Sequence, residues 1–286
     1  MNIGFIGLGN MGLPMARRLI SKSGHPVLGF DVVASSLEKL AVAGGTPVSD
    51  TAQLFTQCST IFLSLPSNAL IQSNLEAAVD QCRPGTVIVD TSSSVPSVIQ
   101  SCAAQAAVRG IDLIDCPVSG GVEGAVNGTL SAMCGGTVEA VEKAMPLLHI
   151  LASHITHMGA LGSGYTAKLI NNLIVGGEIT LIAEAFALAQ KAGIELPRLL
   201  DAIRGGAAGS PVLEMKGSKM IHRDYTASSR ALIHLKDQHN AQELARSLGA
   251  SIPACDLSTS LLEQLVEMGR GNEDVAAVVD LFCTAN

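Results

Sequence analysis

This sequence predicts a doubly wound α/β domain at the N-terminus, an all-α domain at the C-terminus, and one long helix joining them. Three observations carry that class. Short apolar runs alternate with helix-length segments over residues 1 to about 160. The stretch from Tyr165 to Ala192 holds no Pro, is apolar at most positions and is closed by Gly193. Residues 194–286 carry helical patterns and no segment of β period.

The first strand is Ile3 to Ile6, and it runs straight into Gly7-x-Gly9-x-x-Gly12. An amphipathic helix follows, with Met15, Leu19 and Ile20 on one side and Arg17, Arg18 and Lys22 on the other. Gly7 makes the tight turn, Gly9 admits a pyrophosphate to the backbone, and Gly12 allows helix and strand to pack closely. The helix start offers N–H groups to phosphates, with Asn10 and Met11 beside it. A second strand, Pro26 to Phe30, ends in Asp31, placed to accept hydrogen bonds from ribose hydroxyls. This strand–glycine–helix–strand–acid order is the fingerprint of a Rossmann-type dinucleotide site. Residues 32–38 contain no Lys or Arg to meet a 2′-phosphate, so NAD is expected rather than NADP.

Further strands are expected at Thr60–Leu65, Thr86–Asp90, Ile111–Val118 and Thr129–Cys134, with helices such as Ala69–Val79 and Val95–Val108 between them. Ligands of such sheets bind outside the carboxyl ends of the strands. There lie Leu65-Pro66-Ser67, Asp90-Thr91-Ser92-Ser93 and Ser119-Gly120-Gly121, all rich in Ser, Thr and Gly. The Tyr165–Ala192 helix would span roughly 40 Å at about 1.5 Å per residue, too long for one small domain. Gly176-Gly177 in its middle weakens it by about 1 kcal/mol per Gly, so something must pack closely there. The later helices are Pro197–Ile203, Ser218–Ile221, Arg230–Leu248 and Pro253–Met268. The expected domains are 1–162 and 163–286.

Composition narrows the function classes. Net charge is −7 with basic residues scattered, which argues against nucleic acid as a partner. No run of eighteen uncharged apolar residues occurs, so no membrane span is expected. The seven cysteines are odd in number, widely spaced and form no CxxC pair, which fits reduced thiols and a cytoplasmic setting. Strand one at the N-terminus leaves no room for a targeting segment. His149, His154 and His157 lack clustered Asp, Glu or Cys partners, so no metal is expected.

Two groups of residues carry possible chemistry. Lys168 and Asn172 stand four apart on one face of the long helix. A Lys there is either a general acid/base, with Asn172 orienting it and the substrate oxygen, or a side chain snorkelling from a helix end; the spacing does not separate these. Ser119, Gly120 and Gly121 leave a strand as a loop able to hold a carboxylate, or simply make a tight turn. Lys236-Asp237 reads as an ordinary solvated pair on a helix.

Taken together these motifs resemble the β-hydroxyacid dehydrogenase family, of 3-hydroxyisobutyrate dehydrogenase type. The resemblance covers essentially the whole chain. It rests on Gly4-Phe5-Ile6-Gly7-Leu8-Gly9-Asn10-Met11-Gly12-x-Pro14-Met15-Ala16, Asp115-x-Pro117-Val118-Ser119-Gly120-Gly121, Gly128-Thr129-Leu130, Gly162-x-Gly164-x-x-x-Lys168-x-x-Asn171-Asn172, and Lys236-Asp237. It implies reversible NAD-dependent oxidation of a small β-hydroxy acid and a homodimer or homotetramer. It implies Lys168 as the catalytic lysine and substrate anchoring by Ser119, Gly120, Gly121 and Asn172. Lys236 is implied near substrate and nicotinamide ribose, and Leu65, Pro66 and Ser93 as cofactor contacts. The chain departs from the pattern with Arg18 for Asn, Ser93 for Thr, Ser229 for Phe, and Gln238-His239-Asn240 where Leu-Gly or Leu-Ala-Asn is common. Ser229 resembles the threonate-dehydrogenase branch and suggests a more polar acid. A phosphogluconate-type enzyme would have Glu where Val175 stands, and an imine reductase or a non-catalytic NAD-binding protein would lack Lys168.

Overall fold

The computed structural model describes residues 1–282 and divides into two compact units, Met1–Lys168 and Leu169–Asn286. Cys283 lies outside the described residues. In the first unit, β1 (Ile3–Ile6) leads to α1 (Gly12–Lys22), β2 (Val27–Phe30), α2 (Ala34–Val42) and the short β3 (Thr46–Pro47). Then come α3 (Thr51–Gln57), β4 (Thr60–Leu63), α4 (Asn68–Gln81), β5 (Val87–Asp90), α5 (Pro96–Gln100), α6 (Ala103–Arg109) and β6 (Asp112–Asp115). The unit continues with β7 (Val118–Ser119), α7 (Gly121–Asn127), β8 (Leu130–Gly135), α8 (Val138–Leu151) and β9 (Ala152–Gly159).

The strand order is β3-β2-β1-β4-β5-β6, all parallel, continued by β8 and β7. The order reverses between β1 and β4, and this reversal creates the crevice that such sheets use for ligands. Continuous apolar strands such as Ile61-Phe62-Leu63 are buried, as a parallel sheet covered by helices requires. Phe5 and Phe62 stack at 5.8 Å between ring centroids at the centre of this core.

Two sequence expectations are corrected here, and Arg18 gains a structural account. The single strand expected at Ile111–Val118 is two strands, broken at Cys116-Pro117, because Pro lacks the N–H a ladder needs. Both pieces keep one antiparallel register on β8, with Asp115 opposite Gly135 and Val118 opposite Ala132. The helix expected at Val95–Val108 is α5 and α6, separated by a turn at Ser101-Cys102. Arg18 is a clamp within this unit: its guanidinium donates to the carbonyls of Ile150 (2.8 Å) and Val126 (3.1 Å), near the C-terminal ends of α8 and α7. A cation at helix C-termini is favourable, and Gly128 has no Cβ because one would lie 2.3 Å from this side chain.

The long helix α9 spans Ser163–Lys191. The second unit adds α10 (Leu196–Arg204), α11 (Pro211–His222), α12 (Ala231–Leu248), α13 (Pro253–Glu267) and a 3₁₀ helix, Val275–Leu281. Its core joins Ile179, Ala183 and Phe186 of α9 to Leu213, Leu235, Leu262 and Val278. By length and composition α9 could cross a membrane, with 39% of its most apolar window buried. The stricter requirement for eighteen uncharged residues fails on Glu178 and Glu184. Ile170, Ile174, Leu181 and Leu188 of α9 are exposed.

Candidate active site

The glycine loop after β1 shows three different steric demands. Gly7 has φ +91°, and a Cβ on it would lie 2.2 Å from the Ser64 carbonyl oxygen. A Cβ on Gly12 would lie 1.9 Å from the Gly7 carbonyl oxygen, so helix and strand can approach only with Gly there. Gly9 has nothing within 4 Å of its Cβ position and is exposed with Asn10, leaving the backbone open to a phosphate. Met11 precedes α1 and packs its side chain on the core. Asp31, just past β2, ties this loop together: one oxygen accepts from Leu8 N–H at 2.6 Å, the other from Val33 N–H at 2.8 Å. A carboxylate has about four acceptor positions, so capacity remains for ribose hydroxyls. Leu65 N–H donates to Ser92 Oγ at 2.8 Å, joining the Leu65-Pro66 loop after β4 to the Ser92-Ser93 loop after β5.

Ser119, Gly120 and Gly121 belong to a different part of the same unit. Ser119 ends β7 opposite Ser131, and Gly120 (φ +128°) and Gly121 (φ +63°) turn the chain into α7. The structure therefore joins the glycine loop with Asp31, Leu65 and Ser93's loop, and leaves the Ser119 turn beyond β6 in the strand order.

The start of α9 is held by two buried acids that the sequence marked only as strand ends. Asp115 accepts from Gly162 N–H and Tyr165 N–H, both at 2.7 Å, and the Tyr165 hydroxyl donates to Asp90 at 2.5 Å. Burial pushes Asp115 up to about 6, against the pull of those two N–H donors. Gly164 fits because a Cβ would lie 2.2 Å from the Met133 carbonyl oxygen. One turn on, Lys168 is 8% exposed and well inside the packed protein. A lysine this buried is not the snorkelling surface residue that spacing alone left open.

Four residues further along the helix, Asn172 is buried as well, and its Nδ2 donates to Asp237 Oδ2 at 2.7 Å. A carboxylate only accepts, so Asp237 fixes which end of the Asn172 amide is which. Asn171 Nδ2 donates to Asn172 Oδ1 at 3.0 Å. Asp237 Oδ1 lies 3.1 Å from Lys236 Nζ. With Asp237 buried and Lys236 largely so, this is a structured network rather than the solvated pair that adjacency suggested. In the same unit, Asp274 holds Lys216 at 2.7 Å and accepts from Ser228 Oγ and the N–H groups of Ser228 and Ser229. Burial alone would raise Asp274, but Lys216 and Ser228 overcome it and hold the carboxyl at about 2. The Ser229 hydroxyl pairs with His234 Nε2 at 2.8 Å.

The described cysteines are free, buried thiols. Burial pushes Cys58 up to about 11 and Cys82 to about 12, far from nucleophilic thiolates. His157 Nε2 faces the carbonyls of Gly136 and Gly159.

Comparison with known proteins decides the family. Residues 2–159 match the model of the NAD-binding domain of 6-phosphogluconate dehydrogenase. Residues 162–282 match that of the NAD-binding part of NADP-dependent 3-hydroxyisobutyrate dehydrogenase. The chain is 34% identical to 2-(hydroxymethyl)glutarate dehydrogenase of Eubacterium barkeri, over 99% of this chain and 95% of that one. It is also 34% identical to 2-hydroxy-3-oxopropionate reductase of Escherichia coli (strain K12), over 98% and 96%. The chain belongs to the β-hydroxyacid dehydrogenase family. This dehydrogenase superposes on Mycobacterium tuberculosis 3-hydroxyisobutyrate dehydrogenase with L-serine at a TM-score of 0.89, with 28% identity and 98% of both chains covered. It is an NAD(P)-dependent oxidoreductase.

Proposed function

We propose that this dehydrogenase oxidises the hydroxyl of a small β-hydroxy acid, or reduces the matching semialdehyde, with Lys168 as general acid/base. The observation that carries this is the buried Lys168 one helical turn before a buried amide whose orientation Asp237 fixes. Gly7, Gly9, Asn10, Met11 and Gly12 would hold the dinucleotide's pyrophosphate, Asp31 its ribose, and Leu65, Pro66, Ser93 and Lys236 its remaining length. When bound, the dinucleotide supplies the hydride acceptor or donor. Lys168 in its neutral form takes the hydroxyl proton at Nζ, and its ammonium returns that proton in the reverse direction. Asn172 uses its second Nδ2 hydrogen to orient the reacting oxygen, and Ser119 with the Gly120 and Gly121 amides anchors the carboxylate.

NAD is the preferred cofactor on this reading, because Asp31 repels a 2′-phosphate and residues 32–38 offer no cation. The NADP-dependent enzyme whose model matches residues 162–282 does not bear on this, since Asp31 lies outside the match. Ser229 and His234 present a polar pair in place of an aromatic wall, which supports a substrate with an additional hydroxyl. The Escherichia coli relative acts on 2-hydroxy-3-oxopropionate, an acid with that feature. The cytoplasmic setting suggested by the cysteine pattern and a homodimer or homotetramer complete the proposal.

A panel of C3–C5 hydroxy acids, assayed with NAD and with NADP by nicotinamide absorbance, tests it. NAD-dependent oxidation of threonate or glycerate above 3-hydroxyisobutyrate is expected, and Ser229→Phe should narrow that gap. Higher kcat/KM for 3-hydroxyisobutyrate than for any polyhydroxy acid would refute the role of Ser229. No turnover of any hydroxy acid would refute the reaction.

A further inference from the structure

Gln238 is 0% exposed, an unusual place for a primary amide, yet both its ends are engaged. Its Nε2 donates to the backbone carbonyl of Asn172 at 3.0 Å, and its Oε1 accepts from Cys255 Sγ at 2.7 Å. Thr259 Oγ1 in turn donates to the Cys255 carbonyl at 2.7 Å. The slot that admits the amide is made by Gly176, one turn after Asn172. A Cβ there would lie 1.9 Å from Nε2 and 3.0 Å from Cδ. This explains Gly176 where sequence alone said only that something packs closely; Gly177 has nothing within 4 Å and needs no such account.

Two consecutive residues of α12 therefore grip the same residue of α9. Asp237 takes the Asn172 side-chain amide, and Gln238 takes its main-chain carbonyl. An apolar side chain could fill the slot without the cost of burying an amide. What only an amide adds is a directional donor to the Asn172 carbonyl, beside the Asp237 acceptor, and a tie to α13.

We propose that Gln238 is a positioning residue for the reaction. Acting through Asn172, it fixes the rotation and height of α9 at the point where Asn172 meets the substrate oxygen. This rests on the substrate role of Asn172 proposed above.

The test is a double-mutant cycle with steady-state kinetics, nicotinamide-cofactor binding and thermal unfolding. Gln238→Met keeps length and fills the slot but removes the donor. It should raise substrate KM about fivefold, the scale of one neutral hydrogen bond. NAD affinity should be unchanged. In an Asn172→Ala background the same substitution should have no further effect on KM. A lowered Tm with unchanged substrate KM would overturn the proposal, making Gln238 structural only. So would an undiminished effect in the Asn172→Ala background. Asn172→Ala with normal kinetics would instead overturn the reading of Asn172 itself. If Gln238→Met does not fold, Cys255→Ala leaves Gln238 in place and frees its far end. A rise in KM is expected there too, and an unchanged KM would overturn the proposal.

Discussion

Asp31 holds the glycine loop through Leu8 and Val33, and on the proposed reading it also meets the cofactor ribose. Its replacement therefore has a larger consequence than a simple change of charge. Asp31→Ala with Val32→Arg should shift the NADP-to-NAD ratio of kcat/KM toward NADP by about ten- to a hundredfold, the scale of one or two charge-assisted hydrogen bonds. The same variant should raise KM for NAD, because Leu8 N–H and Val33 N–H lose their acceptor. Kinetics with both cofactors checks this, and an unchanged ratio would remove Asp31 from cofactor selection. At this scale part of the candidate site is legible in sequence. Gly7, Gly9, Gly12 and Asp31 stand out by local spacing, since strand, turn and helix set those geometries directly, whereas spacing puts Lys168 and Asn172 on one face and only the family resemblance gives them roles. Asp237's hold on Asn172, and the fit of Gln238 against Gly176, join positions 60 or more residues apart. No local pattern encodes such a match.

Among elements, the segment from Tyr225 to Ser229 is tied down by Asp274 and Lys216, buried ions side by side. Asp274 also accepts from Ala276 N–H at the start of the 3₁₀ helix. Removing one partner leaves an uncompensated charge, so Lys216→Met should cost about 3–5 kcal/mol of stability. The pH dependence has a definite sign. Asp274 is held at about 2, below its ordinary 3.8. Its contribution is present above about pH 4 and is lost as pH falls toward 2. Urea unfolding across that window should show a steeper acid loss for the wild type than for Lys216→Met; equal slopes would contradict the ion pair. Element boundaries were less legible than elements. α8 contains Pro146, β3 is two exposed residues including Pro47, and β9 is polar along much of its length. In α8 the Pro masks a helical period kept by Ala140, Val141, Ala144, Leu147, Leu148 and Leu151, whereas β3 and β9 lack the apolar alternation that identifies a half-buried strand. α11 begins at a Ser210 cap followed by Pro211, well before the Ser218–Ile221 stretch that hydrophobicity marks.

For the whole molecule, the exposed residues of α9 give a test of the proposed homo-oligomer. Ile174, Leu181 and Leu188 recur every seven positions, so they form one nearly straight apolar line along the helix. On the proposed homo-oligomer this line is the candidate contact, since contiguous exposed apolar surface is what a protein interface covers. Leu181→Glu with Leu188→Glu should shift a dimer or tetramer toward monomer in light scattering, and an unchanged mass would exclude α9 from the interface. The central claim, however, is chemical and concerns Lys168. Lys168→Ala should lower kcat for the best hydroxy acid by about 10²–10⁴ while leaving NAD affinity, measured by fluorescence titration, nearly unchanged. Near-normal turnover in that variant would contradict the account and leave Lys168 a structural residue.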